Sequence, residues 1–520
     1  MKIERTKNAT KNIVFGVLLR IYQIILPFLM RTAMIYLMGV EYLGLNSLFT
    51  SVLQVLNLAE LGVGSAMVYS MYKPIAEDNE TAICALMKLY RTYYRVIGLV
   101  IAVVGTVLTP FIPKFISGDV PADINVYILY LLNLAATVLS YWLFAYKNCI
   151  LQAHQRTDVV SKVTIVTITV QYAAQFFVLW AFRNYYYFVI VQLVTQALTN
   201  IITAVEANRL YPQYQPKGDV SKDQVKIINR KIRDLFTSKI GSVVYDSADT
   251  IVISAFLGLT MLAVYQNYFY ILNAISGFMT VIFSACTAGI GNSIVVESKE
   301  KNFNDLNKFT FIICWVVGFC SACLLCLYQP FMELWVGKDL MLGLSAVVCF
   351  VVYFFVRQLN SLFNLYKDAS GMWHKDRFRP LTAALTNLLL NLILVQFIGI
   401  YGILLSTVLA ILCVGMPWLL HNLFTVIFDK KYLKPYLKKL LFYCLIVFFS
   451  CVVTYFICNR FTMRLITTLV VRLLICLIAP NVIYFIVYHK MDEYQQTLVL
   501  VDHMTNGKVK RILKIAGLKG

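Results

Sequence analysis

Two arginines, Arg20 and Arg31, lie eleven residues apart inside one long apolar stretch of the chain. In an α-helix this spacing places them roughly 20° apart around the axis and about 16 Å apart along it. An ionisable group inside a bilayer is costly, so it normally faces a cavity or a partner. Because arginine binds phosphate oxygens through its planar fork of donors, this helix face has chemistry suited to an anionic cargo.

Carboxylates lie in other apolar stretches. Asn57 and Glu60 are close to one helical turn apart, and Lys239, Asp246 and Asp249 are spaced by seven and three residues. The second spacing places its three residues on one side of a helix. Carboxylates in a transport cavity can carry protons or bind Na⁺. We therefore assign ion coupling to Glu60, Asp246 and Asp249.

Further polar side chains in apolar stretches complete a candidate cavity. The predicted substrate-binding set is Arg20, Arg31, Arg357, Lys239, Asn57 and Asn267. Two structural alternatives stay open. Arg20 and Lys239 lie near the predicted inner boundary, where their charges could simply reach the interface, and Asp246 or Asp249 could pair with Lys239 as a structural bridge.

The two halves of the chain repeat each other. Gly39 and Gly258 are 219 residues apart, Lys239 follows Arg20 by the same spacing, and Pro110 and Pro330 are separated by 220 residues. A duplicated set of membrane helices is a common ground plan for a transporter, because two similar bundles can rock about a site between them. We expect the polar faces of the two repeats to converge on one central cavity.

Composition indicates an all-α integral membrane protein. Apolar residues make up 60% of the chain and charged residues only 14%, against about 25% in soluble domains. A spanning helix needs about 20 mostly apolar residues. About fourteen such stretches are predicted, at 12–37, 43–71, 94–113, 124–146, 160–182, 185–205, 236–257, 261–294, 309–328, 341–366, 379–398, 400–427, 439–458 and 465–487. The first is interpreted as a spanning helix and not as a removed signal.

The net charge of +20 is distributed unevenly among the loops. Lysine and arginine concentrate in alternate loops and at both ends, which places both termini of a multi-pass membrane protein in the cytoplasm and supports an even number of helices. Attraction to anionic membrane lipids explains this surplus better than nucleic acid does. We expect a six-helix N-lobe, a linker with a basic amphipathic helix, a six-helix C-lobe, two added helices and a basic tail, at 1–206, 207–235, 236–428, 429–488 and 489–520.

Other site chemistry is sparse. The five histidines have no metal-ligand spacing, and no P-loop glycine motif is present, which argues against a directly ATP-driven pump. Cys320, Cys323 and Cys326 lie within one apolar helix, so we interpret them as small packing residues. No outer loop is long enough for a catalytic domain. The sequence therefore predicts no catalytic residue, no metal site and no cofactor beyond a coupling H⁺ or Na⁺, and the protein is not expected to be an enzyme.

Several motifs resemble the Wzx-type oligosaccharide flippases of the multidrug/oligosaccharidyl-lipid/polysaccharide (MOP) exporter superfamily. They lie at 43–49, 58–66, 69–74, 239–242 and 249–258. The resemblance implies alternating-access flipping of a polyprenyl-diphosphate-linked oligosaccharide, together with partners of surface polysaccharide assembly. Lipid II flippases share the fourteen-helix plan and are a close alternative.

Two other functions compete with flipping. A drug or cation antiporter of the same superfamily should have a net acidic cavity, and Arg20, Arg31 and Arg357 count against it. A membrane glycosyltransferase or polysaccharide polymerase should show acidic or arginine-bearing motifs in a substantial outer loop. No such loop is present in the sequence.

Overall fold

The computed structural model describes residues 5–118, 120–461 and 463–504, and the regular elements within these ranges are helical. The chain divides into two compact units, Met1–Ala263 and Val264–Gly520. The end of the predicted basic tail, at 505–520, lies outside the described residues. So do the side chains of Lys239 and Asp246.

The first unit is built around membrane-length helices. Within it α1 packs against α7, α7 against α8, and α5 against both α4 and α8. Its helices are α1 (Arg5–Leu37), α2 (Val40–Leu56), α3 (Val63–Ala76), α4 (Glu80–Leu108), α5 (Val126–Trp142), α6 (Asn148–Ala153), α7 (Thr157–Phe182), α8 (Tyr185–Leu210) and the beginning of α9 (Lys222–Val296).

The second unit centres on α10, which packs against α11, α16 and α17. A π-helical turn, Ile411–Gly415, joins α14 to α15. After the remainder of α9, the helices are α10 (Lys299–Val336), α11 (Leu344–Ala369), α12 (Trp373–Asp376), α13 (Arg379–Ile398), α14 (Ile400–Ala410), α15 (Met416–Val426), α16 (Leu433–Asn459), α17 (Leu465–Tyr488) and α18 (Asp492–Met504).

Twelve helices in the described part of the chain are long and apolar enough to cross a membrane, or thirteen if α5 and α6, which are bent by 45° at their junction, form one span. The helix Val243–Val296 contains two predicted stretches, because Gly258 interrupts it with non-helical angles. The all-α membrane fold is thus confirmed. The count of fourteen is approximate, because it depends on how the breaks are counted.

Asparagines start three of the helices in the first unit. The side chains of Asn79, Asn125 and Asn184 accept hydrogen bonds from the exposed backbone N–H groups at the starts of α4, α5 and α8. Each such cap stabilises a helix by about 1 kcal/mol. These caps set where the chain re-enters an apolar stretch.

The glycines of the repeat have matching backbone conformations. Gly39 has φ 125° and Gly258 has φ 85°, while Gly118 and Gly337, which are also 219 residues apart, have φ 83° and φ 80°. Residues with a side chain rarely adopt this left-handed region. The shared conformation explains why glycine occupies the same place in both halves.

Two predicted elements differ from the structure. The stretch 43–71 is not one helix, because a 3₁₀ turn, Asn57–Glu60, and Gly62 with φ 88° separate α2 from α3. The basic stretch after Lys222 is helical, as predicted, but it is not a separate helix. It continues into the next span as part of α9, since neither proline nor glycine interrupts residues 222–240.

Candidate functional site

Glu60 lies at the break between α2 and α3, half-buried in the first unit. The hydroxyl of Tyr94 donates to its Oε1 at 2.6 Å, and the hydroxyl of Tyr141 lies 3.2 Å from its Oε2. Tyr141 is also 3.2 Å from the Asn57 side-chain oxygen, so its single proton can serve either acceptor. Hydrogen bonds to an ionised carboxylate are stronger than neutral ones. The two tyrosines therefore fix the position of the carboxylate.

A third tyrosine extends this hydrogen-bond network. The hydroxyl of Tyr90 donates to that of Tyr94 at 2.7 Å, which orients a chain of hydroxyls toward Glu60. The two residues are four positions apart on α4 and therefore share a face of the helix. Gly64 makes room for them, because a Cβ there would lie 3.1 Å from the Tyr90 hydroxyl oxygen and 3.7 Å from Glu60 Oε1.

The Glu60 carboxylate lines a polar cavity of about 430 Å³ within the first unit. A second broken span borders the same cavity: Phe144, between α5 and α6, has φ 59°, a rare conformation for a residue other than glycine. Asn148 follows this break, and its Oδ1 has no hydrogen-bond partner among the described residues. Two interrupted helices thus expose polar groups to one cavity.

This arrangement can bind a small cation or a proton. Interrupted membrane helices expose backbone and side-chain oxygens, and in transporters such breaks form ion and substrate sites. Glu60 supplies the charge, and Asn148 supplies a neutral oxygen. The hydroxyl chain through Tyr94 and Tyr90 offers proton-accepting and proton-donating groups along one wall.

The other predicted residues of the first unit do not line this cavity. Arg20 is exposed on α1, Arg31 is half-buried on the same helix, and Asp249 is 7% exposed on α9. Asn57 does not line the cavity either, but its side-chain oxygen lies within hydrogen-bond distance of the Tyr141 hydroxyl, which also contacts Glu60. The prediction that Lys239 and Asp246 contribute to a site cannot be followed structurally, since their side chains lie outside the described part.

The remaining predicted residues belong to the second unit. Asn267 is fully buried, and Arg357 is half-buried on α11. The Arg357 guanidinium donates to the hydroxyl of Tyr353 one turn earlier and lies 5.7 Å from the centre of that ring. The convergence of all these charges on one central cavity stays a prediction.

Sequence reasoning missed the three tyrosines that hold Glu60. Their types alone carry little signal, because the chain has 33 tyrosines. The informative pattern was local: Tyr90 and Tyr94 lie one turn apart near the start of an apolar helix, and glycines at 62 and 64 closely follow the carboxylate. Two glycines so close together in an apolar stretch indicate a break or a close backbone approach.

The second unit also contains an almost entirely apolar groove of about 620 Å³. It is formed mainly by α11 and α16, and the side chains that line it include Val352, Leu441 and Phe448. These three side chains are exposed. An exposed apolar groove on a membrane-spanning helix suits hydrocarbon rather than a polar ligand.

Comparisons with known proteins agree with this architecture. A family model described as polysaccharide biosynthesis protein matches residues 9–288. Among solved structures, lipid II flippase MurJ in an inward closed conformation is similar with a TM-score of 0.64 at 16% identity, covering 92% of this chain and 99% of that chain.

Two multidrug transporters share the fold as well. An inward-facing MATE family transporter of the MOP superfamily is similar with a TM-score of 0.60 at 13% identity, covering 81% of this chain and 99% of that chain. A mutant of the Vibrio cholerae MATE transporter VcmN gives 0.53 at 14% identity, with 81% and 97% covered. No curated protein sequence matches. The resemblance seen in the sequence is thereby confirmed at the level of the fold, which the chain shares with solved transporters described as members of the MOP superfamily.

Proposed function

The chain belongs to the polysaccharide biosynthesis protein family and has the fold of MOP superfamily transporters, and on this basis we propose that it flips a polyprenyl-diphosphate-linked oligosaccharide across the plasma membrane. Flipping proceeds by alternating access, is coupled to an ion gradient, and serves surface polysaccharide assembly. The termini lie in the cytoplasm, as the distribution of lysine and arginine favours.

The observation that carries the proposal is the polar cavity around Glu60. Ionisable groups inside a membrane are costly and therefore rare, and they mark functional sites. Glu60 is such a group, held by tyrosine hydroxyls at a break in a spanning helix. Its use here is to bind and release the coupling H⁺ or Na⁺. Asp246 and Asp249 stay assisting candidates on α9.

The cargo has three chemical parts, and the chain offers a match for each. Arg31 and Arg357, half-buried in spanning helices, suit the diphosphate because guanidinium binds its oxygens in a planar fork. Polar and aromatic side chains suit the glycan. The apolar groove along α16, the first of the two helices added after the repeat, suits the polyprenyl tail.

A cation antiporter is the second candidate, and one observation favours it. Glu60 and the three tyrosines form a site with a single acidic group and aromatic faces, which suits an organic cation. The half-buried arginines oppose it. A lipid II flippase differs from the first proposal only in the attached glycan, and the residues that we describe do not distinguish the two.

Binding by the purified chain separates these functions. We expect a short-chain polyprenyl-diphosphate disaccharide to bind. The same lipid diphosphate without the sugar should displace it less effectively than additional disaccharide lipid does. A quaternary ammonium dye should neither bind nor compete. Measured by native mass spectrometry in detergent, dye binding that the disaccharide lipid does not match would favour the antiporter and contradict the flippase proposal.

A further inference from the structure

Three cysteines from three different helices meet inside the second unit. They are Cys326 on α10, Cys458 on α16 and Cys476 on α17, and their sulfur atoms all lie within 4.8 Å of one another. All three side chains are fully buried. From the sequence we interpret Cys326 as a packing residue, because it lies with Cys320 and Cys323 in one apolar helix. Its two partners in the structure are more than a hundred residues away in the chain.

A fourth thiol lies beside this cysteine cluster, which consists of Cys326, Cys458 and Cys476. Cys323 precedes Cys326 by almost one turn of α10 and packs against the cluster. The other side chains around the cluster are Leu327, Tyr455 and Ile475. The sulfur atoms are therefore enclosed by apolar groups.

A guanidinium is anchored next to the cysteine cluster. Arg472 donates from Nη1 to the carbonyl oxygen of Cys326 and from Nη2 to the side-chain oxygen of Asn459, each at 3.1 Å. Its Nε has no hydrogen-bond partner among the residues that the structure describes. These contacts hold the positive charge of Arg472 beside the thiols.

We propose that the cysteine cluster binds one Zn²⁺ ion through its three thiolates. Zinc–sulfur bonds of about 2.3 Å in a tetrahedron require sulfur–sulfur separations of about 3.8 Å. Sulfur atoms that already lie within 4.8 Å reach this geometry through shifts of about 1 Å or less. Each thiol loses its proton to solvent when it coordinates the metal.

Charge balance selects zinc over a monovalent metal. Three thiolates and one Zn²⁺ leave one negative charge, which the guanidinium of Arg472 offsets. Three thiolates and Cu⁺ would leave an additional negative charge in the same apolar surroundings, and burying an uncompensated charge is costly. The metal would connect α16 and α17 to α10, and so attach the last two spanning helices to the rest of their unit.

Small residues also favour close packing of membrane helices, and the cysteines could serve that purpose alone. Measurements on the wild-type protein distinguish a zinc site from packing alone. After incubation of the tag-free full chain with Zn²⁺ and removal of unbound metal, we expect about one zinc per chain. Zinc-edge X-ray absorption should show at least three sulfur ligands at about 2.3 Å. Absence of retained zinc, or zinc bound only by nitrogen and oxygen, would overturn the proposal, as would retention of Cu⁺ but not Zn²⁺.

Single substitutions then locate the metal. Cys458→Ser and Cys476→Ser should each weaken Zn²⁺ binding by about 100-fold or more and abolish the rise in unfolding temperature that zinc causes in the wild type. Cys314→Ser is the matched control, because Cys314 is a buried cysteine on α10 outside the cluster. Equal zinc content in all four proteins would contradict this site. None of these outcomes depends on the transport function.

Discussion

At the scale of single residues, the carboxylate of Glu60 is held in place by the hydroxyl groups of tyrosines from neighbouring helices. Tyr94 and Tyr141 approach it from α4 and α5, and Tyr90 completes the hydroxyl chain. Sequence reasoning singled out Glu60, because a carboxylate in an apolar stretch is unusual. It could not reveal the tyrosines, because a tyrosine in such a stretch is ordinary.

Arg31 carries the residue-scale prediction. We expect Arg31→Ala to reduce translocation of the lipid-linked cargo at least tenfold, while Arg31→Lys retains part of it, because an ammonium still attracts a diphosphate but lacks the planar fork. Both variants should reach the membrane in normal amounts. Translocation by Arg31→Ala at the wild-type rate would remove this arginine from the substrate site.

At the scale of elements, the structure attaches the segment after α8 to the end of α6 through aromatic ring contacts. The His154 ring lies 4.2 Å from that of Tyr211 and 5.6 Å from that of Tyr214, measured between centroids. His154 Nδ1 is 2.9 Å from the carbonyl oxygen of Ile150, and its Nε2 has no partner among the described residues. Burial therefore lowers the pKa of His154, since protonation would enclose an unsatisfied charge.

The pH dependence of stability follows from this depressed pKa. The unfolded chain takes up the proton first, so the free energy of unfolding should fall as the pH drops below about 6.5, by at most about 1.4 kcal/mol per pH unit from this group. In thermal unfolding scans in detergent, His154→Phe should show a shallower decline between pH 7 and 5. His421→Phe, at an exposed histidine, should behave as the wild type does. Identical pH profiles for all three proteins would show that His154 is not responsible.

Sequence reasoning reached the spans but not their interruptions. The spans could be predicted from the length of the apolar stretches, because the thickness of the bilayer sets the length of a spanning helix. The break at Asn57–Glu60 and the bend after Trp142 depend on how α3 and α6 pack against their neighbours. A Cβ at Gly62 would lie 2.6 Å from that of Leu235, a contact with α9 that a linear pattern does not show. The meeting of Cys326 with Cys458 and Cys476 was inaccessible for the same reason.

At the scale of the whole molecule, fold and function have to be argued separately. Proteins described as a lipid II flippase and as multidrug transporters share this fold at 13–16% identity, so the fold by itself does not select a cargo. The half-buried arginines and the apolar groove favour a lipid diphosphate, and the Glu60 cavity favours ion coupling. Together they define the central claim, which is gradient-driven flipping.

Translocation in proteoliposomes tests that claim most directly. Purified protein is reconstituted with a fluorescent polyprenyl-diphosphate oligosaccharide, and its appearance in the opposite leaflet is followed with and without an imposed H⁺ or Na⁺ gradient. We expect one of the gradients to accelerate wild-type translocation at least tenfold.

Glu60→Gln, which keeps the shape and removes the charge, should still bind cargo but lose this acceleration. Glu77→Gln is the matched control, because Glu77 is exposed at the end of the same span. No translocation by the wild type would contradict the flippase function, and equal acceleration of wild type and Glu60→Gln would contradict the coupling role of the cavity.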